Sequence, residues 1–266
     1  MGPLEVYVHF VLDNLYCACQ DRTNATSHVQ LMVMITLLST WSKYALKSEA
    51  VPGIRLATHQ REVWDAICNP EIQVVFDTAL TGDGKTLAGL LPAVKERKSL
   101  GKGLFTYPTN ELIRDQVQQF GEWSRRLNVQ PTIGQLNGSQ LSALIREERF
   151  DKPETLQIIA SDNDIVLTNP DIFTLINRFY YDRRRGNIAK TAQKWFLQYR
   201  YIVFDEFHIF NAPQIANVLD SIAFIRANST DRTPTKFLFL SATPDELILR
   251  ALNKAGITHE VVQGNY

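Results

Sequence analysis

The stretch "TALTGDGKT" (Thr78–Thr86) follows the apolar run "IQVVFD" and leads into the helix-like "LAGLLPAVKERK". Gly82 and Gly84 flank Asp83, and Lys85 and Thr86 come next. A loop of this kind, set between a strand and a helix, is suited to holding phosphate. Glycines let successive backbone N–H groups turn inward with no Cβ in the way, and the helix start adds its own unsatisfied N–H groups and dipole. Lys85 is long enough to reach β- and γ-phosphates, and the Thr86 hydroxyl suits Mg²⁺. The spacing follows G-x-x-x-x-G-K-[ST], with Ala79 in place of the first glycine. Thr81, Gly82, Asp83, Gly84, Lys85 and Thr86 are the expected phosphate-binding set.

Such a loop needs an acid at the end of a second strand to hold the metal. "YRYIVFDEFHIF" supplies Asp205 at the carboxyl end of an apolar run, with Glu206 placed to polarise an attacking water. Thr86 and Asp205 are the expected metal-side pair.

The elements that must position these residues are legible as a pattern. Apolar, β-branched runs at 72–78, 103–108, 164–170, 201–206 and 236–243, with a weaker one at 259–263, read as buried strands. Between them lie helical candidates at 58–68, 85–98, 109–127, 139–149, 170–180, 212–227 and 244–255. Continuous apolar strands alternating with helices predict an α/β domain with a mostly parallel central sheet covered on both faces. Residues 1–50 differ: "SHVQLMVMITLLSTWSKYALKSE" reads as one buried helix with Ser27 as N-cap, and Pro52–Gly53 breaks the chain. The expected organisation is an N-terminal helical extension over 1–50, of unassigned role, and a nucleotide-binding domain over 51–266.

"DEFH" downstream of "TGDGKT" resembles motif II of the superfamily 2 helicases in its D-E-x-H form. Further strings follow in the family's order. "RLATHQREVWDAI" is similar to the adenine-reading Q motif, through Gln60. "YPTNELIRDQ" resembles the P-T-x-E-L motif, through Pro108, Thr109, Glu111 and Leu112. "LTNPDIF" matches the T-x-P/D motif through Thr168, Asn169, Pro170 and Asp171, and "LSAT" matches motif III through Ser241, Ala242 and Thr243. The resemblance implies a RecA-like ATPase domain over Arg55 to the C-terminus, with ATP and Mg²⁺ as cofactors. It assigns catalysis to Lys85, Asp205, Glu206 and His208, and coupling of the γ-phosphate to strand movement to Ser241 and Thr243 with His208. The alternative to these roles is structural: Ser241 and Thr243 as strand-to-helix caps, Gln60 as a surface residue, and His208 as a core histidine.

The same resemblance places single-stranded DNA, with RNA as the alternative, across Pro108, Thr109, Asn137, Gly138, Thr168 and Asn169. The basic segment "DRRRGNIAK" extends that path or forms a solvated face, and Tyr180, Tyr181 or Trp195 are candidates for base stacking. Within the superfamily, "TALTGDGKTLA", "YPTNELIRDQ" and "VFDEFHIFN" look like the signature helicase of type I CRISPR systems, most like the type I-D form. That implies an RNA-guided surveillance complex and a separate HD nuclease subunit as partners in antiviral defence; no His-Asp dipeptide occurs in this sequence. The chain stops shortly after "LSAT". The second RecA-like domain, which carries the arginine fingers, is therefore expected to be missing, and hydrolysis and unwinding by this chain alone are expected to be very low. The competing expectation is a catalytically idle nucleic-acid- or partner-binding fragment.

Bulk properties bound the reading. The 266 residues are 45% hydrophobic, ample for a large core. Lys plus Arg and Asp plus Glu both total 28, so a whole-surface positive field is excluded, although a local basic groove is not. Cys17, Cys19 and Cys68 cannot all pair, which points to a reducing cytoplasm; that the cytoplasm is prokaryotic is what the resemblance to the CRISPR helicase implies. Cys17, Cys19 and His28 fit known zinc spacings poorly and read as buried thiols. The longest apolar run, Leu31–Trp41, is too short to span a bilayer, and "MGPLEVYVHF" has no basic leader region.

Overall fold

The computed structural model describes residues 51, 54–148, 152–177, 195–229, 234–243 and 246–264. The chain divides into two compact units, Met1–Trp41 and Ser42–Tyr266, and every described residue belongs to the second. The expected helix over 27–49, the Cys17/Cys19/His28 set, the Pro52–Gly53 break and most of the basic segment 180–195 lie outside the described residues.

Helix α1 (Thr58–Cys68) leads to β1 (Val74–Asp77) and α2 (Lys85–Lys95). The short α3 (Arg97–Leu100), β2 (Lys102–Thr106), α4 (Asn110–Arg126) and β3 (Ile133–Leu136) follow. Next come α5 (Gly138–Glu148), α6 (Lys152–Asp162), β4 (Ile165–Thr168), α7 (Pro170–Asn177) and β5 (Tyr199–Phe204). The described chain ends with α8 (Ala212–Asn228), β6 (Lys236–Leu240), α9 (Glu246–Lys254) and β7 (His259–Val262). The seven strands form one sheet in the order β3-β4-β2-β5-β6-β1-β7. All six pairings are parallel. The arrangement is a RecA-like α/β fold.

The apolar runs become strands because both faces of the sheet are covered. Val74, Phe76, Leu104, Val166, Ile202, Phe204, Phe237 and Phe239 pack on one side with α7, α8 and α9. Val75, Phe105, Ile165, Leu167, Tyr201, Val203, Leu238 and Leu240 pack on the other with α1, α2 and α4. Successive strand residues thus alternate between two cores. One irregularity interrupts the alternation: the β2–β5 register shifts between Lys102 and Gly103, where Lys102 pairs Tyr199 but Gly103 pairs Tyr201. The extra residue, Arg200, is why Tyr199 and Tyr201 face opposite cores.

Most of the anticipated elements are present with ends moved by a few residues. Strand β3 and helix α6 were not anticipated. β3 is an edge strand carrying Gly134 and Gln135, and only Leu136 in it is buried, so it lacks the apolar continuity that marks a central strand. Trp195 is fully buried, edge-on to Phe196 and Tyr199 at 5.0 Å each. It is a core residue, and the expectation that it stacks on bases is overturned. Among the described residues no helix is long and apolar enough to cross a membrane.

Candidate nucleotide and nucleic-acid site

The strand order splits the carboxyl edge of the sheet into two halves. On one side β5, β6 and β1 are neighbours, so the residues after Phe204, Leu240 and Asp77 converge. On the other side β3, β4 and β2 are neighbours, and helices α5, α7 and α4 start there. In sheets of this type ligands sit outside the carboxyl ends of the strands, where the strand order reverses.

In the first half, the loop after β1 turns through Gly82 (φ 94°) and Gly84 (φ 80°), both in the left-handed region that favours glycine. A Cβ on Gly82 would meet nothing within 4 Å, so it is the backbone angle and not crowding that calls for glycine there. The buried Lys85 ammonium donates to the Ala79 carbonyl at 2.8 Å. The Thr86 hydroxyl donates to Asp205 Oδ2 at 2.9 Å, across 119 residues of sequence. The Glu206 N–H donates to the other Asp205 oxygen at 2.8 Å.

Asp205 is 4% exposed. Burial pushes its carboxyl up to about 6, against the opposing pull of the Thr86 hydroxyl and the Glu206 amide. A hydroxyl facing a partly desolvated carboxylate is an all-oxygen donor pair, the type hard divalent cations take. Among the described residues no cluster of three or more His, Cys, Asp or Glu side chains could hold a metal. A cation here would therefore depend on few protein ligands, with water and phosphate oxygens supplying the rest, as Mg²⁺ commonly does.

Glu206 is a non-glycine residue at φ 49°, a strained conformation that turns its side chain out of the strand direction. Its buried Oε2 makes no hydrogen bond and lies 3.4 Å from His208 Nδ1, an ion pair when that ring is protonated. A carboxylate oxygen that makes no hydrogen bond is an acceptor left open. His208 itself is more than a third exposed, so it is not a core histidine.

Gln60 sits in the first turn of α1 and is buried. Its amide donates to the Gly84 carbonyl at 3.0 Å and more weakly to that of Asp83 at 3.4 Å. Its Oε1 accepts from the Ala57 N–H at 3.0 Å, so Gln60 braces the glycine loop and is no plain surface residue. Ser241 is buried. Its hydroxyl donates to the Thr243 carbonyl at 2.6 Å, and its N–H reaches the Asp77 carbonyl at 3.1 Å. Ser241 thus closes the turn after β6 and ties it to β1, while Thr243 is exposed.

The Gln60 brace has a measurable consequence. A Cβ on Gly84 would stand 2.6 Å from Gln60 Nε2, and alanine at φ 80° is strained by about 1–2 kcal/mol in itself. Gly84→Ala is expected to destabilise the chain by about 2 kcal/mol in urea unfolding. In a Gln60→Ala background the same change is expected to cost less, because the two substitutions share the clash. Equal costs in both backgrounds would show that Gln60 does not hold the loop.

In the second half, three helices begin on side-chain caps. Thr109 Oγ1 accepts from Leu112 N at 3.2 Å, Asn137 Oδ1 from Gln140 N at 2.9 Å, and Asn169 Oδ1 from Ile172 N at 2.9 Å. Asn169 Nδ2 also donates to Asn110 Oδ1 at 3.0 Å, linking the starts of α7 and α4. Asn110 was not anticipated: its neighbour Thr109 carries the motif, and the link to Asn169 spans 59 residues. Pro108 is half-buried, and Thr109 and Gly138 are exposed on this edge. Thr168 is fully buried and donates to the Leu136 carbonyl at 2.8 Å. It braces β4 to β3 rather than facing solvent, which departs from the expectation of direct phosphate contact.

A phosphate-type loop after β1, facing an Asp-Glu pair after β5 in a RecA-like sheet, defines a P-loop nucleotide-binding domain. Residues 57–250 match the family model described as DEAD/DEAH box helicase, and the chain belongs to that family. No curated protein matches the chain. Among solved structures, the DUF1998 helicase MrfA bound to DNA is similar at TM-score 0.61 and 21% identity, over 84% of this chain and 31% of that one. The DEAD-box helicase Mss116 bound to ssRNA and UDP-BeF is similar at TM-score 0.55 and 18% identity, over 79% of this chain and 40% of that one. The Mycobacterium smegmatis helicase Lhr bound to ssDNA and AMP-PNP is similar at TM-score 0.50 and 21% identity, over 78% and 25%. The chain spans about a third of the length of MrfA.

Proposed function

We propose that residues 51–266 form the ATP-binding motor domain of an ATP-dependent DNA helicase, acting with a second RecA-like domain. The observation that carries this reading is the Thr86–Asp205 hydrogen bond, which joins the glycine loop to the acid after β5. The loop amides from Ala79 to Thr86 would hold the phosphates of ATP, and Lys85 would move from the Ala79 carbonyl to a phosphate oxygen. Thr86 and Asp205 would hold Mg²⁺, which when bound neutralises charge developing on the phosphates. Glu206, whose Oε2 makes no hydrogen bond, would accept the proton of the attacking water. His208, Ser241 and Thr243 would transmit the state of the site to the nucleic-acid edge. Gln60 would turn from the loop carbonyls towards adenine, or sense it through them. The capped starts of α4, α5 and α7 would meet the backbone of single-stranded DNA, or RNA, with Thr109, Gly138 and Asn169 outermost.

An arginine supplied from a second domain is worth about 10³–10⁵ in rate for related NTPases, and we assign that group to the second RecA-like domain. The three strings that resemble the type I-D CRISPR helicase support a finer reading. In it the protein works in the prokaryotic cytoplasm in antiviral defence, beside an RNA-guided surveillance complex and a separate HD nuclease. Co-purification of the complete protein with a guide-RNA complex tests that finer reading. The general one is tested by ATP hydrolysis of the complete protein with and without single-stranded DNA. Stimulation by DNA is expected, with a loss of about 10²-fold or more in Lys85→Ala. Hydrolysis unchanged in that variant would place the activity elsewhere.

A further inference from the structure

Both ring nitrogens of His59 face oxygen atoms. Nδ1 lies 3.1 Å from Asp77 Oδ2, and Nε2 lies 3.0 Å from the Asp83 carbonyl oxygen. A carbonyl oxygen has no proton to give, so Nε2 must carry one. An ionised carboxylate has none either, so Nδ1 must carry a second unless Asp77 is protonated. Asp77 is fully buried, and its other oxygen accepts from the Ala79 N–H at 3.1 Å. One Asp77 oxygen already accepts an N–H, and the other faces a ring nitrogen that can donate, which favours the imidazolium–carboxylate pair. The site thus holds one proton more than a neutral imidazole beside a carboxylate would.

The Asp83 carbonyl matters because of what its peptide does on the opposite edge. No described peptide bond is cis, and in a trans peptide the C=O and N–H point in opposite directions. Holding the Asp83 oxygen against α1 therefore turns the Gly84 N–H away from α1. Gln60 does the same one peptide later, through the Gly84 carbonyl, and so turns the Lys85 N–H. These are the amides of the glycine loop that the nucleotide reading requires.

We propose that His59 is a positioning residue: as an imidazolium it clamps the Asp83 carbonyl to the end of β1 and so keeps the loop amides aimed at phosphate, and loss of one proton releases that clamp. The inference rests on the nucleotide reading above. In the neutral ring the remaining proton stays with the stronger acceptor, the Asp77 carboxylate. The Nε2 lone pair then opposes the Asp83 carbonyl.

The charged groups around the ring agree with this. Burial works against the charged ring, but the Asp77 carboxylate, the Asp83 carbonyl and the Asp83 carboxylate together hold it above the ordinary 6.5. From α2, Lys85 turns its ammonium to the Ala79 carbonyl. On α1 itself Arg61 and Asp65 pair with each other, and Glu62 lines a surface hollow with Asp65 and with Glu260 of β7. His259 of β7 directs its Nδ1 at the Ile257 carbonyl. Because the folded-state value is raised above 6.5, the clamp is complete at low pH and is lost as pH rises through that raised value.

Two measurements on the full chain test this. The first is the imidazole nitrogen spectrum of the nucleotide-free protein, with the His59 signals identified by their loss in His59→Gln. Both nitrogens are expected to be protonated at pH 6.5, with a midpoint above it. A single N–H on this ring at pH 6.5 overturns the proposal. The second is the affinity for a fluorescent ATP analogue between pH 6.5 and 9. The wild type is expected to weaken by about tenfold, the loss of one charge-assisted hydrogen bond. His59→Gln keeps a donor for Asp83 but takes no proton. It is expected to bind better than His59→Ala and to lack the pH step beyond any change from the nucleotide's own ionisation. The same step in wild type and His59→Gln overturns the proposal. Absence of nucleotide binding by the wild type at every pH, with the ring titrating as expected, overturns the nucleotide reading and leaves the proton site standing.

Discussion

Asp205→Asn is expected to abolish Mg²⁺-dependent ATP hydrolysis by the complete protein, by about 10³-fold or more, and at the same time to make the nucleotide-free chain more stable at neutral pH. Both effects come from one buried carboxylate. Its two oxygens accept from the Thr86 hydroxyl and the Glu206 amide, and burial raises it from 3.8 to about 6. The folded chain therefore holds its proton more tightly than the unfolded chain does. Between those two values the native state carries the extra proton, so stability falls as pH rises through about 6. The displacement is worth about 3 kcal/mol at most, and asparagine recovers part of it because one of the two accepted hydrogen bonds is lost. A cation has to displace the same proton, so the Mg²⁺-dependent part of nucleotide affinity is expected to fall below about pH 6, by roughly tenfold per pH unit. Calorimetric titration at pH 5.5 and 7.5 with urea unfolding of both proteins is the check. An Asp205→Asn chain that is less stable, or that hydrolyses ATP normally, would remove this acid from the site.

Phe239→Ala is expected to cost about 3–5 kcal/mol in urea unfolding, enough to threaten the fold itself. Phe239 of β6 stacks on Phe76 of β1 at 4.8 Å and on Phe204 of β5 at 5.1 Å. It also meets Phe207 edge-on at 4.8 Å. All four rings are buried. They lie under the strand ends from which the glycine loop, the Asp-Glu pair and the Ser241 turn emerge, so the cavity left by alanine would loosen the support of all three. Phe239→Leu, which refills most of the space, is expected to cost less than half as much. A loss below about 1 kcal/mol for Phe239→Ala would mean that the neighbouring rings collapse into the gap.

The legible part of this protein was written in local order. β1, β2, β4, β5 and β6 show as apolar runs because both their faces are covered, and that burial needs no knowledge of neighbours. The glycine loop shows because its conformation demands particular residues at fixed offsets, and left-handed φ at Gly82 and Gly84 bears that out. β3 was missed because an edge strand needs only one or two buried residues. His59 and Asp77 were passed over because a histidine and an aspartate 18 residues apart carry no spacing signal. Asn110 was hidden in the same way by its distant partner.

By itself the sequence determined an α/β domain, a phosphate-type loop after one strand and an acidic pair after another, since each depends on residues adjacent in the chain. Only the tertiary structure decided that β5, β6 and β1 are neighbours, which places Asp205 against Thr86. It also decided that Thr168 and Trp195 are interior, and that His59 meets the Asp83 carbonyl of the loop. The physical reason is that strand order follows from how two apolar cores fill on opposite faces of the sheet. That is a non-local balance of packing, and no short window of sequence contains it.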